Sequence, residues 1–344
     1  MAQYITFQPS DYFNTVLYTG NASTNAVTGV GFQPDWLWFK CRTRTDNHRA
    51  MDVLRGTNSI IPNTNNAQSD VSGDGFTSID SDGFTLNGSG GGGEFNANSA
   101  SFVCWNWKAG GSGSANSNGS ISSTVSANTT AGFSIVTYTG TGANATVGHG
   151  LGTAPALILF KQTSATQKWI IHHQSIGATK SLHLDTTEVE QTNTFMNNTA
   201  PTSTVFSLGT IVNNNTSSEN YVAYCFAEKK GFFKAGLYEG NGSTNGAFIY
   251  TGFKPAFVIL KGKGNTSNWG MHDSARDVDN AVQKGLIAND TNTEDTHDFM
   301  DFLSNGFKLR SSSTNRNGSG QGYVYWAFAE EPFVSSNGVP ATAR

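Results

Sequence analysis

Phe102-Val103-Cys104-Trp105-Asn106-Trp107 reads as a β-strand, because aromatic and branched residues dominate it and large apolar side chains fall at every second position. Val103, Trp105 and Trp107 share one face; Cys104 and Asn106 share the other. The strand returns as Tyr221-Val222-Ala223-Tyr224-Cys225-Phe226 and as Tyr323-Val324-Tyr325-Trp326-Ala327-Phe328. In all three, one face is large and apolar while the other varies. The first face is therefore expected in a core, and the second against something smaller or more polar. Two further markers travel with it. Val16-Leu17-Tyr18-Thr19-Gly20 recurs as Val136-Thr137-Tyr138-Thr139-Gly140 and Gly236-Leu237-Tyr238-Glu239-Gly240. A Gly-x-x-Pro signal followed by an apolar run recurs at Gly31 to Lys40, Gly152 to Lys161 and Gly252 to Lys261. All three markers advance in step, by about 120 residues and then by about 100, which a copied unit explains and a chance motif does not.

The repeat predicts an all-β chain of three tandem homologous β-sandwich domains, of jelly-roll or lectin-like type, at residues 1–109, 132–230 and 231–331. A Gly/Ser/Asn-rich stretch at 110–131 reads as a flexible linker that leaves the first copy more freedom. The short second junction predicts that copies two and three pack together, and residues 332–344 form a tail. The post-proline strands, Trp36-Leu37-Trp38-Phe39 and its counterparts Leu157 to Phe160 and Phe257 to Leu260, are apolar throughout and so expected to be covered on both faces. Each ends in a lysine (Lys40, Lys161, Lys261), read as the chain's return to water. No segment shows a capped helical period, a turn near Asp295 to Leu303 apart.

Composition narrows the function. Only 13% of the 344 residues are charged, against a usual figure of about 25%, so solubility must come from neutral Asn, Ser, Thr and Gly. The net charge is −4 and no basic stripe stands out, which argues against nucleic acid. Arg42, Arg44, Arg49 and Arg55, interrupted by Asp46 and Asp52, read as a solvated face. No apolar run is long enough for a membrane helix. The opening residues lack a signal-peptide pattern, which predicts folding in the cytoplasm. Cys41, Cys104 and Cys225 read as small hydrophobes.

A further repeated element sits at Met51-Asp52-Val53-Leu54-Arg55 and His272-Asp273-Ser274-Ala275-Arg276. Copy two has His172-His173-Gln174-Ser175-Ile176 there and carries neither charge. Asp52, Arg55, Asp273 and Arg276 can be read as a polar sugar-binding edge, with Trp169 and Trp269 beside it as stacking platforms. They can equally be read as Asp–Arg pairs holding a loop between strands, the reading favoured for a pair that drifts among copies. His172, His173 and His183 make a poor metal site, since neighbours on a strand point to opposite faces. The acidic run Asp290, Asn292, Glu294, Thr296, Asp298 and Asp301 has alternating oxygen ligands but no glycine at the sixth position, and reads as a solvated turn more than as a calcium loop; Asp80-Ser81-Asp82-Gly83 has a similar weak claim. Glu94, Glu188 and Glu190 are available for glycosidase chemistry, but nothing in the sequence pairs them. The Gly90 to Gly93 run lacks the Lys-Ser/Thr of a phosphate loop. No catalytic residue, metal or cofactor is predicted.

The unit resembles a β-domain found in virion appendage proteins of marine tailed phages, cyanophages among them. The matching pieces are Tyr18 to Ser23, Gly31 to Lys40, the closing aromatic strand of each copy and the ending Ala329 to Arg344. The resemblance implies a virion protein assembled in the host cytoplasm, with other virion proteins as partners. Three functions are compatible with it: a tail-associated fibre or receptor-binding appendage touching host surface glycan, a head-decorating or connector-associated protein, and a glycan-degrading enzyme. A homo-oligomer is expected, a trimer before others.

Overall fold

Each copy of the aromatic strand becomes a central strand of an antiparallel sheet. In the first stretch the strands are β1 (Phe13–Thr19), β2 (Trp36–Cys41), β3 (Arg49–Asp52) and β4 (Ser101–Trp107), in the order β1-β4-β2-β3. The second repeats this with β5 (Phe133–Thr139), β6 (Leu157–Gln162), β7 (Ile170–His173) and β8 (Asn220–Phe226), ordered β5-β8-β6-β7. The third repeats it with β9 (Phe233–Glu239), β10 (Phe253–Gly262), β11 (Gly270–Asp273) and β12 (Gly322–Pro332), ordered β9-β12-β10-β11. Register is kept as well as order: Phe13, Phe133 and Phe233 stand opposite Trp107, Phe226 and Phe328. Pro255 lies inside β10, where a proline removes a ladder donor, and the strand is bulged there. The computed structural model describes residues 5–88, 93–334 and 340–342; Gly90 to Gly92 of the glycine run and most of the tail lie outside them.

A second layer covers one face of each sheet. It consists of Asn25–Thr28, Gly83–Leu86 and Phe76–Asp80 in the first stretch, and of Ala145–Gly148 and Val205–Leu208 in the second. In the third, Phe248–Tyr250, Gly306–Leu309 and Asp295–Leu303 do the same, and Val282–Ile287 joins both layers into one curled eight-stranded sheet. The expected turn near Asp295 is thus a strand, its Phe299 and Met300 buried in the apolar core.

The alternation of the aromatic strands sorts side chains between two kinds of core. Leu37, Phe39 and Cys104 pack against Phe76, Phe84 and Leu86 of their own second layer, and Ile158, Phe160 and Cys225 against Phe206 and Leu208 of theirs. The varying face was expected against something smaller or more polar; it fills an apolar core private to the stretch in the first two, while in the third Val258, Leu260, Tyr325 and Ala327 belong to the same cluster as the heavy face. The large face does something else. Trp36, Trp105 and Trp107 meet Tyr224 and Phe226 of the second stretch and Phe257, Trp326 and Phe328 of the third in one continuous cluster. Trp107 and Phe226 each lie 5.6 Å, ring centre to ring centre, from Phe328, and Trp36 stacks on Tyr224 at 4.4 Å. Three sheets therefore turn their heaviest faces toward one shared centre, and burying that many rings is a large stabilising term.

The segment read as a flexible linker is built into this arrangement. Ser114–Asn116 and Ser123–Asn128 form a hairpin that extends the second sheet beyond β5. Asp35 fixes its entry, accepting from the backbone N–H of Ala109 (2.7 Å) and Gly111 (3.1 Å). Among the described residues the chain is almost wholly β, and no helix is long and apolar enough to cross a membrane.

Candidate functional site

The third strand of each sheet ends on a residue that makes the same pair of bonds. Asp52 Oδ1 accepts from the backbone N–H of Leu54 and Arg55, closing a tight turn, and Asp273 Oδ1 does so from Arg276. Their second oxygens face another stretch: Asp52 Oδ2 accepts from the Tyr224 hydroxyl at 2.7 Å, and Asp273 Oδ2 from Trp105 Nε1 at 3.0 Å. Copy two has lost the charge but not the geometry. His173 Nδ1 accepts from Ser175 N–H, and Nε2 donates to the Tyr325 carbonyl at 3.1 Å. So the first stretch grips the second, the second grips the third, and the third grips the first. A head-to-tail contact that closes on itself makes a ring, here within one chain.

The arginines complete the clamps. Arg55 gives Nε to Asp52 and its remaining N–H groups to Asp52, Asn58 O, Gln68 Oε1 and the Tyr224 hydroxyl, which uses all five donors of a guanidinium. Arg276 bonds Asp273 (2.6 Å), Glu294 (3.1 Å) and Met271 O (3.1 Å), with its guanidinium over the Trp105 ring. Glu294 also takes a two-pronged bond from Arg42 of the first stretch. The four arginines expected on one solvated face are thus divided: Arg55 is buried at a junction, Arg42 is half-buried at another, and Arg44 and Arg49 pair locally with Asp46 and Glu94.

Trp169 and Trp269 belong to the same ring of contacts. A stacking platform needs an open ring face, and these residues are 1% and 0% exposed. Trp169 Nε1 donates to Ile61 O of the first stretch, and Trp269 Nε1 to His183 O of the second. His48 holds the matching place in the first copy and bonds Ile287 O of the third. The sugar-binding edge expected from Trp169, Trp269, Asp52, Arg55, Asp273 and Arg276 is therefore not presented to solvent. These residues join the three stretches.

The lysines expected to mark a return to water are buried as well. Lys40 Nζ donates to Thr291 O of the third stretch, Lys161 to Asn65 O of the first, and Lys261 to Thr187 O of the second. Each also bonds carbonyls of its own loop, among them Asp46 O, Gln167 O and Ser267 O. Burial pulls Lys161 and Lys261 down to about 8.

The other sequence candidates lie apart. His172 packs near Phe195, and His183 bonds Trp169 O. Among the described residues no group of three or more His, Cys, Asp or Glu is placed to hold a metal ion. Glu94, Glu188 and Glu190 are engaged by Arg49, Lys168 and Lys180, and Asp301 by Arg310.

What stays open at a junction is a groove of about 600 Å³ between the first and second stretches. Leu54, Asn58 and Gln68 form one wall; Thr124, Thr137, Thr139 and Asn220 form the other, with Arg55 already saturated at the floor. Thr124 comes from the extra hairpin, which has no counterpart among the described residues of the other two copies, so the groove breaks the threefold repetition. Its hydroxyl and amide groups suit a neutral, hydrogen-bonding ligand. Ser and Thr do not stand out in a composition full of them; the signal the sequence carries is the extra length between copies one and two.

No curated protein and no solved structure matches the chain. One family model does, continuously over all three copies: residues 8–332 match DUF7483, described as a domain of unknown function, and the chain belongs to that family.

Proposed function

We propose that this chain is a structural protein of a tailed-phage particle, a tail-associated appendage contacting host surface glycan, built from three tandem homologous β-sandwich domains. The observation that carries the reading is the ring closed within one chain. The residues that recur among the copies are spent on holding the ring together, which leaves the unequal outer loops and the groove free to meet partners. The chain acts by binding rather than by catalysis, without cofactor or nucleic acid; in support, Glu94, Glu188 and Glu190 sit in separate ion pairs rather than as a facing pair. It is assembled in the host cytoplasm against other virion proteins, and any homotrimer is made through the outer surface.

The ring also favours one second reading, decoration of the head. A single chain with threefold repetition fits a threefold or quasi-threefold position that a homotrimer would otherwise fill. Gold-labelled antibody to this chain, viewed on intact particles, separates the two. Label at the tail supports host attachment, label over the head moves the chain to decoration, and unlabelled particles overturn both. Release of reducing ends from host polysaccharide would overturn the non-enzymatic assignment.

A further inference from the structure

The three copies allow each position to be compared with two others in the same fold. At the outer strand of the second layer, Val27, Val147 and Ile249 pair with Phe84, Phe206 and Phe307 and point into their cores. Their neighbours point outward in copies one and three, Ala26 and Thr28 in the first and Phe248 and Tyr250 in the third; in copy two Thr146 and Gly148 are covered by the extra hairpin, through Ser120 and Asn116. Phe248 is 48% and Tyr250 51% exposed. In copy one, where the same edge is equally open, the fold manages with Ala26 and Thr28, so packing does not require aromatic side chains at these places.

A second change coincides with the first. The residue after Phe13, Phe133 and Phe233 is Asn14, Ser134 and Lys234. Lys234 Nζ donates to Tyr250 O at 2.9 Å and lies 5.3 Å from the centre of the Tyr250 ring. With Lys229 and Tyr250 it lines a recess of about 400 Å³ beside the aromatic pair. Glu228, the acid of the recess, is already bonded to Gln174 Nε2 and Ala235 N–H. In a chain that is 13% charged and net acidic, Lys229 at the end of copy two and Lys234 at the start of copy three come together beside the exposed Tyr250 ring.

We propose that the recess lined by Lys229, Lys234 and Tyr250, with the exposed Phe248 two residues along the same strand, binds an acidic polysaccharide, the rings carrying a sugar face and the ammonium groups its carboxylate or sulfate. A ring face without cations would serve a neutral sugar, and cations without a ring any anion; the pair selects a charged saccharide. The proposal deepens the glycan-contact reading and names its substrate class, but its test needs no particle.

The full chain is passed over immobilised polyuronate, over a neutral glucan as control, and over single-stranded DNA as a non-saccharide polyanion. Retention by polyuronate, weakening as salt is raised, is expected. Phe248→Ala with Tyr250→Thr restores the residues of copy one, and Lys234→Asn does the same for the cation. Each variant is expected to lose about tenfold in affinity with its melting temperature unchanged. Equal binding of glucan or DNA, or undiminished binding by both variants, overturns the assignment. A particle without gold label would leave polyuronate binding untouched, and absent polyuronate binding would leave the particle assignment standing, so the two failures are distinguishable.

Discussion

His173 does with two ring nitrogens what Asp52 and Asp273 do with two carboxylate oxygens, and that substitution carries a pH dependence. Its Nδ1 accepts a bond and its Nε2 donates one, so a second proton has no place to go without breaking the turn. His48 is in the same state, with Nδ1 accepting from Trp38 Nε1. Burial holds His48 and His172 down at about 3 and His173 at about 4, the charge of Lys40 adding to the effect on His48. A histidine depressed in the fold stabilises it above the unfolded value of about 6.5, and that stability is lost as pH falls below it. Each contributes a slope of up to about 1.4 kcal/mol per pH unit between about 6.5 and 4. Asp185, raised by burial to about 6, and Asp35, also raised, work in the opposite sense but are outnumbered. Urea titrations at pH 7.5, 6.5, 5.5 and 4.5 should show midpoints falling steadily; equal midpoints would refute the argument. A buried ion pair gives a second residue-level test. Arg276→Met leaves the carboxylate of Asp273 buried with one partner fewer, and should cost about 3–5 kcal/mol in the same titration. A loss under 1 kcal/mol would mean that the pair contributes little to this junction.

At the scale of the strand and its loop, the lysine that ends each second strand ties down a loop from a different copy. Lys161→Met removes the donor to Asn65 O, Gln162 O and Gln167 O, and should destabilise the chain by about 2 kcal/mol. The telling readout is its location. Amide exchange should quicken around Asn65 in the first stretch as well as around Gln167 in the second; a change confined to the second stretch would mean that Lys161 is no bridge. These elements also mark how far sequence carried. Alternation in Val103, Trp105 and Trp107 announced a strand with one heavy face, and its recurrence announced three sheets. Alternation says that a side chain is covered, however, and is silent on what covers it, so the shared centre was not legible. Lys40, Lys161 and Lys261 follow apolar strands as a residue returning to water would, and only the carbonyls of a distant loop reveal otherwise. Trp169 and Trp269 beside polar residues suit a sugar platform until their burial is known. The segment at 110–131 departs from expectation for a related reason: Ser, Asn and Gly signal a loop, yet Ser123-Thr124-Val125-Ser126 alternates well enough to extend a sheet whose edge is open.

For the molecule as a whole, the central question is whether three copies behave as three bodies or as one. Three separate sandwiches on tethers would each bury a private core and unfold independently, as chains with small interfaces do. Here the private cores are the lesser part: the largest rings, Trp36, Trp105, Trp107, Tyr224, Phe226, Trp326 and Phe328, lie in the cluster that all three stretches share. Removing one stretch would expose the heavy faces of the other two. The N-terminal segment closes the circle, Phe7 packing on Phe232 and Phe13 stacking on Phe328 at 5.0 Å. The chain should therefore unfold in a single transition, with a van't Hoff enthalpy near the calorimetric one and on the order of 240 kcal/mol at about 60 °C, as expected for the whole length. A third of the chain unfolding alone would give only about 80 kcal/mol. Because the ring closes within one chain, the midpoint should also stay constant as protein concentration is raised, where contacts exchanged between chains would make it climb. Three resolved transitions would mean that the shared centre contributes little. A concentration-dependent midpoint would mean that contacts between molecules hold the fold, either through the outer surface or through clamps at Asp52, His173 and Asp273 exchanged between chains.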